Sequence, residues 1–451
     1  MATESRQVYG GRIETFVRQL GPTWLAGAIA AGPATMASLL TAGASFGYAL
    51  LWVVIVSAVL GTIGQYLAMR LGLLTEKGII AVVEEHLGEF WAWVLLIDAV
   101  LASGLAQLVI MQTLADVSAT MVGSAGLDAA ADPRIWGVIW AMFLALTLAG
   151  GGYRFAEVGV KIIVSLVVLA FIAAAFVVPI DTGAAVSGLQ PEIPAGVGGA
   201  LVAAGVLGGA VHITLLTMQS YTMQARGWTR DDVSLARFDI ISSMLVAFGI
   251  FSLAIFLVAA SVLPETGLDP ATITEIQAAE ALGPVAGEYA VWLFLLGLWG
   301  AAISTLGGNT IVPPYLLADK LGWEQSVEDS RFRAMIVVVA LVSALGAFLG
   351  GSFFQLLVLV LAFGLVGTPF ALIVILYLLN DSDAVPETNS LLENVGGVAL
   401  LLVAIVLAGE FVRGELATVT EPASAFVVAF AVAMALAMLG LCGRYIRDNV
   451  L

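Results

Sequence analysis

Residues 21–48 read GPTWLAGAIAAGPATMASLLTAGASFGY, an apolar stretch long enough to cross a bilayer that is interrupted at its middle by Gly32-Pro33. Proline has no backbone N–H and disfavours a helical conformation in the residue before it, and glycine tolerates an extended backbone. The pair therefore predicts a helix broken in two. Backbone polar groups that a continuous helix would pair internally are left free at such a break, which predicts a membrane-embedded site there.

The composition of the whole chain places this stretch in a membrane protein. Hydrophobic side chains make up 61% of the 451 residues and charged ones only 11%, far from the usual balance of soluble proteins. The apolar runs have about 17 or more residues and do not alternate, so they predict an all-α polytopic protein and not a β-barrel. Twelve segments are predicted to span the bilayer: 21–45, 47–69, 90–122, 135–151, 158–180, 196–224, 238–263, 286–317, 333–350, 353–380, 394–412 and 422–446.

The positive charges predict how this bundle is oriented. If residues 1–20 form a cytoplasmic tail and the chain crosses twelve times, all but two of its 17 Lys and Arg residues fall on the cytoplasmic side. Only Arg134 and Arg413 lie outside. This bias predicts a multi-pass protein of the cell membrane with both termini in the cytoplasm.

The sixth segment resembles the first. Residues 199–221 read GALVAAGVLGGAVHITLLTMQSY, with Gly208-Gly209 as a second predicted break just before His212. Two weakly similar copies, 21–180 and 196–380, followed by two extra helices in 394–446, predict the LeuT-type five-plus-five inverted repeat with broken helices 1 and 6. Alternatively, each glycine pair only lets neighbouring helices pack closely.

Several further stretches resemble one family. They are 43-GASFGYALLWVV-54, 70-RLGLLTEKG-78, 151-GGYRFAEVGVKIIVSLV-167, 226-RGWTRDDVSLARFDIISS-243 and 368-TPFALI-373. Together, over about residues 15–380, they are similar to the NRAMP family of divalent metal transporters. The resemblance implies a metal site made of Asp and Asn in a DPGN break of the first helix, Met in an MPH motif of the sixth, and backbone carbonyls.

This chain departs from that metal site. Gly32 and Thr35 stand in place of the Asp and Asn, and Ala210-Val211-His212 stands in place of the MPH motif. Thr35 and His212 thus remain as candidate metal ligands. The substrate-binding set that the resemblance implies is Ile29, Gly32, Thr35, Leu207, Ala210 and His212, with Ile29 and Leu207 contributing carbonyls. Such a neutral site predicts loose binding of a partly hydrated ion, because dehydrated divalent ions need anionic or strongly dipolar ligands.

The proton-carrying residues of the family are also missing. The carboxylates of its third helix fall on Gly104 and Gln107, and the glutamine of its tenth helix falls on Leu361. His212, an ionisable residue inside the membrane, is a candidate for proton movement or gating. Asp98 is a second candidate, although the acidic position of the family falls on the adjacent Ile97. Weak or absent proton coupling is therefore expected.

Three classes of function remain. The first is an NRAMP-like secondary transporter of divalent metal ions with a depleted site. The second is a transporter of a small anionic or zwitterionic solute, which the free N–H groups of half-helices starting near Thr35 and His212 would favour. The third is a transport-inactive sensor. No catalytic or phosphate-loop motif is present, so neither an enzyme nor a cofactor is expected. The expected partners are the lipid bilayer and a small-molecule or ion substrate, without nucleic acid, and the patterns define no oligomeric state.

Overall fold

The computed structural model describes residues 32–150, 153–195, 197–264 and 275–449. Within these ranges the chain forms helices and no strand. The helices of the first half are α1 (Pro33–Phe46), α2 (Leu51–Thr75), α3 (Ile79–Leu87), α4 (Glu89–Ser124), α5 (Pro133–Ala149), α6 (Tyr153–Val177), α7 (Thr182–Ser187), α8 (Val197–Val211) and α9 (Ile213–Ala225).

The second half continues the bundle. Its helices are α10 (Val233–Ile240), α11 (Gly249–Val262), α12 (Glu275–Ala278), α13 (Gly283–Ala286), α14 (Ala290–Thr310), α15 (Val312–Leu321), α16 (Ser330–Ser343), α17 (Phe353–Leu379), α18 (Leu391–Leu416) and α19 (Pro422–Asn449). A π-helical segment, Ile241–Phe248, joins α10 to α11. Short 3-10 turns occupy Gly47–Leu50, Asp128–Ala130, Arg230–Asp232, Ala279–Leu282, Gly287–Tyr289 and Ala344–Phe348.

These helices match the predicted segments. In the described residues, nine helical stretches are long and apolar enough to cross a membrane, with Pro33–Thr75 counted as one of them. Two shorter apolar helices, Pro133–Ala149 and Ile163–Val177, correspond to the fourth and fifth predicted segments. The all-α polytopic fold is therefore confirmed. The first segment is described only from Gly32 onward, so its predicted first half lies outside the described residues.

A helix begins at the position of the first predicted break, and the segment before Gly32 lies outside the described residues. Gly32 has an extended backbone (φ −62°, ψ 178°), and α1 begins at Pro33. Because the first helical position needs no N–H donor and prefers the fixed φ of proline, Pro33 is well suited to start a half-helix.

The second break differs from the prediction. Gly208 and Gly209 lie inside α8, and only His212 separates α8 from α9, with φ −51° and ψ 140°. The glycines serve close packing instead: a side chain at Gly208 would collide with the carbonyl of Leu361 on α17. The alternative role, close helix packing, therefore applies to this pair.

Several contacts join segments that the charges assign to the same side. At the end assigned to the cytoplasm, Lys320 contacts Glu84 at 3.0 Å and Arg230 contacts Glu76 at 3.2 Å. Arg70 of α2 is buried there and binds the segment between α17 and α18, including Asn389. At the other end, the backbone of Trp52 donates to Gly188 at 2.9 Å. Segments assigned to one side thus contact each other.

Candidate functional site

The start of α1 contacts the last turn of α8. A Cβ atom added at Gly209 of α8 would lie 2.8 Å from Oγ1 of Thr35, in the first turn of α1. A Cβ atom added at Gly32 would lie 2.7 Å from Oγ1 of Thr305 on α14. The start of α1 is therefore held between α8 and α14 by glycines that allow close approach, and Thr35 is buried between them.

The carbonyl groups at the end of α8 already have donors. Gln65 of α2 donates its amide to the carbonyl of Ala210 at 3.0 Å, and Thr368 of α17 donates its hydroxyl to the carbonyl of Val211 at 2.8 Å. Gln219 of α9 donates to Gln65 at 2.6 Å, which ties the second half-helix to the same network. In this conformation the carbonyls of Ala210 and Val211 are therefore already engaged.

His212 forms the junction between α8 and α9. Its Nδ1 atom lies 2.8 Å from Oγ1 of Thr214 and 3.4 Å from the backbone nitrogen of Thr214, so the side chain caps α9. In the tautomer whose Nδ1–H donates to Oγ1 of Thr214, Nε2 keeps its lone pair. The ring is only 4% exposed. The carbonyl of Val360 lies beside it, yet Nε2 makes no hydrogen bond of ordinary geometry with any described residue. The imidazole packs so tightly on Gly364 of α17 that a side chain there would collide with Nε2.

Asp98 lies on α4 and is 1% exposed. Neither of its carboxylate oxygens has a hydrogen-bond partner among the described residues. The carboxylate packs against Gly367 of α17, where a Cβ atom would collide with both oxygens. Because most buried carboxylates are paired, this group requires an explanation beyond packing.

A neutral polar network joins α4 to α14 at the position of the missing acids. The amide of Asn309 donates to the carbonyl of Ser103 at 2.7 Å and to Oε1 of Gln107 at 3.0 Å. Gln107 in turn donates to Oγ1 of Thr310 at 2.7 Å. Amides and hydroxyls replace titratable groups here, and no described atom lies within 4 Å of a Cβ atom added at Gly104.

The structure brings some of the predicted site residues together and not others. Gly32 and Thr35 lie at the start of α1, and Ala210 and His212 at the end of α8. Leu207 is one turn back inside α8, and Ile29 lies outside the described residues.

In the described ranges, no three His, Cys, Asp or Glu residues cluster closely enough to hold a metal ion. The roles of Gln65, Asn309 and Thr305 were not predicted, although polar side chains within apolar segments were a usable signal.

Comparison with solved structures agrees with this geometry. The structure of the Eremococcus coleocola manganese transporter in complex with an aromatic bis-isothiourea substituted compound has a TM-score of 0.69 and 17% sequence identity, covering 96% of this chain and 95% of that one. The structure of MhsT in complex with L-phenylalanine has a TM-score of 0.56 and 15% identity, covering 87% and 98%. The described helical bundle thus has the LeuT-type fold of these solved structures.

Sequence comparison narrows this class to a family. The family described as natural resistance-associated macrophage protein-like (Nramp) matches residues 23–413. The chain belongs to this family. It is 25% identical over 316 residues to the divalent metal cation transporter MntH of Bacillus subtilis, covering 66% of this chain and 71% of MntH. It is 26% identical over 377 residues to MntH of Chromohalobacter salexigens, covering 79% and 81%.

Proposed function

We propose that this Nramp-family chain is a secondary transporter that moves divalent metal ions across the cell membrane through a neutral break between helices. The main structural support is the contact of Thr35 in α1 with Gly209 in α8, which joins the start of α1 to the interrupted sixth helix. The curated relatives named divalent metal cation transporters support the substrate class.

The neutral break determines how the ion is held. Thr35 supplies a hydroxyl and Gly32 no side chain at all, while Ala210 replaces a thioether ligand with a methyl group. A site without anionic ligands does not repay the dehydration of a divalent ion, so the ion keeps part of its water shell. We therefore infer weak binding and little preference for soft metals at the break.

The network between α4 and α14 supports transport without coupled proton influx. Gln107 and Asn309 are hydrogen-bonded amides that do not carry a proton at physiological pH. Gly104, at the second position where the family resemblance implies a carboxylate, has no side chain. The proposed cycle thus runs on the metal gradient and the membrane potential, since a divalent cation carries two charges down a negative interior potential.

One observation favours the anionic-solute alternative. Among the described residues the first turn of α1 has no side-chain cap, and the N–H groups of Ala34 and Thr35 lie at the positive end of the helix dipole. A carboxylate or bicarbonate would be favoured there. The start of α9, by contrast, is capped by His212.

Isotope uptake into proteoliposomes separates the two functions. We expect uptake of Mn(II) or a similar divalent ion that an inside-negative potential accelerates. Empty liposomes, and liposomes that contain an unrelated membrane protein at the same lipid-to-protein ratio, measure leakage. Uptake of radiolabelled bicarbonate or a small carboxylate with no uptake of any divalent metal would support the alternative and contradict the proposal.

A further inference from the structure

The strongest unexplained feature outside the break is a pair of buried polar side chains on one face of α17. Asp98 of α4 packs against Gly367, and His212 packs against Gly364. Residues three apart on a helix have Cβ atoms about 5–6 Å from each other and lie on the same face. The carboxylate and the free imidazole nitrogen therefore lie on one face of α17, about one helical turn apart, although they come from different parts of the chain.

Both groups have unused binding capacity. Nε2 of His212 and both oxygens of Asp98 are without hydrogen bonds among the described residues. An unpaired carboxylate in a low-dielectric interior is costly, and so is a buried polar nitrogen without a partner. Apolar side chains at these two positions would fill the same space without that cost. The energetic cost indicates that the groups act on a ligand that enters the protein.

The glycines hold the two groups at this location. At both Gly364 and Gly367 a side chain would overlap the atoms that lack partners. Thr368, on the same side of α17, donates to the carbonyl of Val211 at 2.8 Å and fixes the end of α8 beside His212. The geometry of the pair is thus set by α17 and by the break, not by loops.

We propose that Asp98 and His212 form a cation site on the Gly364–Gly367 face of α17, displaced from the break between α1 and α8. This inference rests on the proposed function and names the charged ligand that the break lacks. One carboxylate oxygen and one imidazole nitrogen suit a first-row transition-metal ion such as Mn(II) or Co(II) better than Mg(II) or Ca(II), which prefer oxygen alone. The carbonyl of Val360 lies beside the imidazole and offers a further oxygen.

The position of the pair connects the site to transport. His212 lies at the junction between α8 and α9, beside Gly364 of α17. Asp98 lies on α4, beside Gly367, which is about one turn further along α17. Counting α17 from the outside inward, as the charge pattern assigns it, Asp98 is on the cytoplasmic side of His212. An ion that leaves the neutral break toward the cytoplasm meets His212 first and Asp98 next. A site with so few protein ligands holds the ion weakly enough for release.

Mn(II) titration of the purified full-length protein tests the site, with free Mn(II) measured by electron paramagnetic resonance. We expect Asp98→Asn and His212→Ala each to raise the Kd at least tenfold, and Asp98→Glu to retain part of the affinity. Asp116→Asn is the matched control, because it removes a carboxylate from the same helix about 27 Å away at 1.5 Å per residue, and should leave the Kd unchanged. Co(II) titration adds a readout for the imidazole: its absorption bands should shift in His212→Ala.

The outcomes separate this inference from the proposed function. If Asp98→Asn binds Mn(II) as the wild type does while wild-type vesicles still take up Mn(II), the site is wrong and the function stands. An equal loss in Asp116→Asn also overturns the site. If wild-type protein neither binds nor transports any divalent metal, the function itself fails. Thermal unfolding and gel filtration of each variant show that a loss of binding is not a loss of fold.

Discussion

His212 and Asp98 face the same side of α17 from two different helices, because Gly364 lies beside the imidazole and Gly367 beside the carboxylate. This relationship joins the break in the sixth helix to the third predicted membrane segment. It places a carboxylate near a break that contains none.

The role of the Gly364–Gly367 face of α17 in transport can be tested by adding a single methyl group at each glycine. We expect Gly364→Ala and Gly367→Ala to lower the initial rate of Mn(II) uptake at least tenfold, because each Cβ atom would displace His212 or Asp98. Gly409→Ala is the control, since this glycine is in helix α18 and no described atom lies within 4 Å of its added Cβ atom. Full activity in both test variants, with unchanged thermal stability, would show that the pair plays no part in transport.

Proton coupling can be tested by adding a carboxylate. Space next to Gly104 allows Gly104→Glu, which places an acid where the family resemblance implies one. We expect Mn(II)-dependent acidification of the vesicle lumen in this variant, because a carboxylate can pick up and release a proton where glycine cannot. Gly104→Gln has the same shape without the titratable group and should show none. Equal acidification in both variants would contradict the argument.

The neutral break can be tested by restoring its missing ligands. We expect Gly32→Asp combined with Thr35→Asn to raise Mn(II) affinity, because the pair returns a carboxylate and an amide oxygen to the break. The hydroxyl of Thr305, 2.7 Å from the added Cβ atom, has to rotate and can then donate to the new carboxylate. Calorimetry against Gly32→Asn with Thr35→Asn isolates the charge. A wild-type Kd already in the low micromolar range, on the order of −8 kcal/mol, would show that the site is not depleted.

The orientation can be tested by cysteine labelling. With Cys442 replaced by Ala, we expect an impermeant thiol reagent to label a cysteine placed at Asp128 on intact cells. A cysteine placed at Glu328 should react only after permeabilisation, since the positive-inside bias assigns that loop to the cytoplasm. The reverse pattern would overturn the assigned topology.

The sequence predicted the helices well because long apolar runs have one physical solution in a bilayer. The start of α1 was also predictable, since proline suits the first position of a helix. The second break was misplaced because Gly208-Gly209 is the stronger local signal. Inside α8, however, their missing side chains allow contact with Leu361 and Thr35. The extended residue is His212, which no local propensity singles out.

The site was less predictable than the fold because it depends on contacts between distant segments. Asp98 was a candidate, but its approach to Gly367 joins residues far apart in the chain. The same holds for Gln65, whose amide occupies the carbonyl of Ala210. Polar residues inside apolar segments could have been flagged from the sequence. Which of them meet, and which remain without partners, follows only from the packing of the helices.

The most direct test of the account measures Mn(II) uptake and lumenal pH together in the same proteoliposomes containing the wild-type protein. The account predicts Mn(II) entry that follows the metal gradient and the membrane potential, with no stoichiometric acidification of the lumen. Mn(II) entry with one or more protons per ion, abolished in His212→Ala, would contradict it and would make the histidine alone a proton relay.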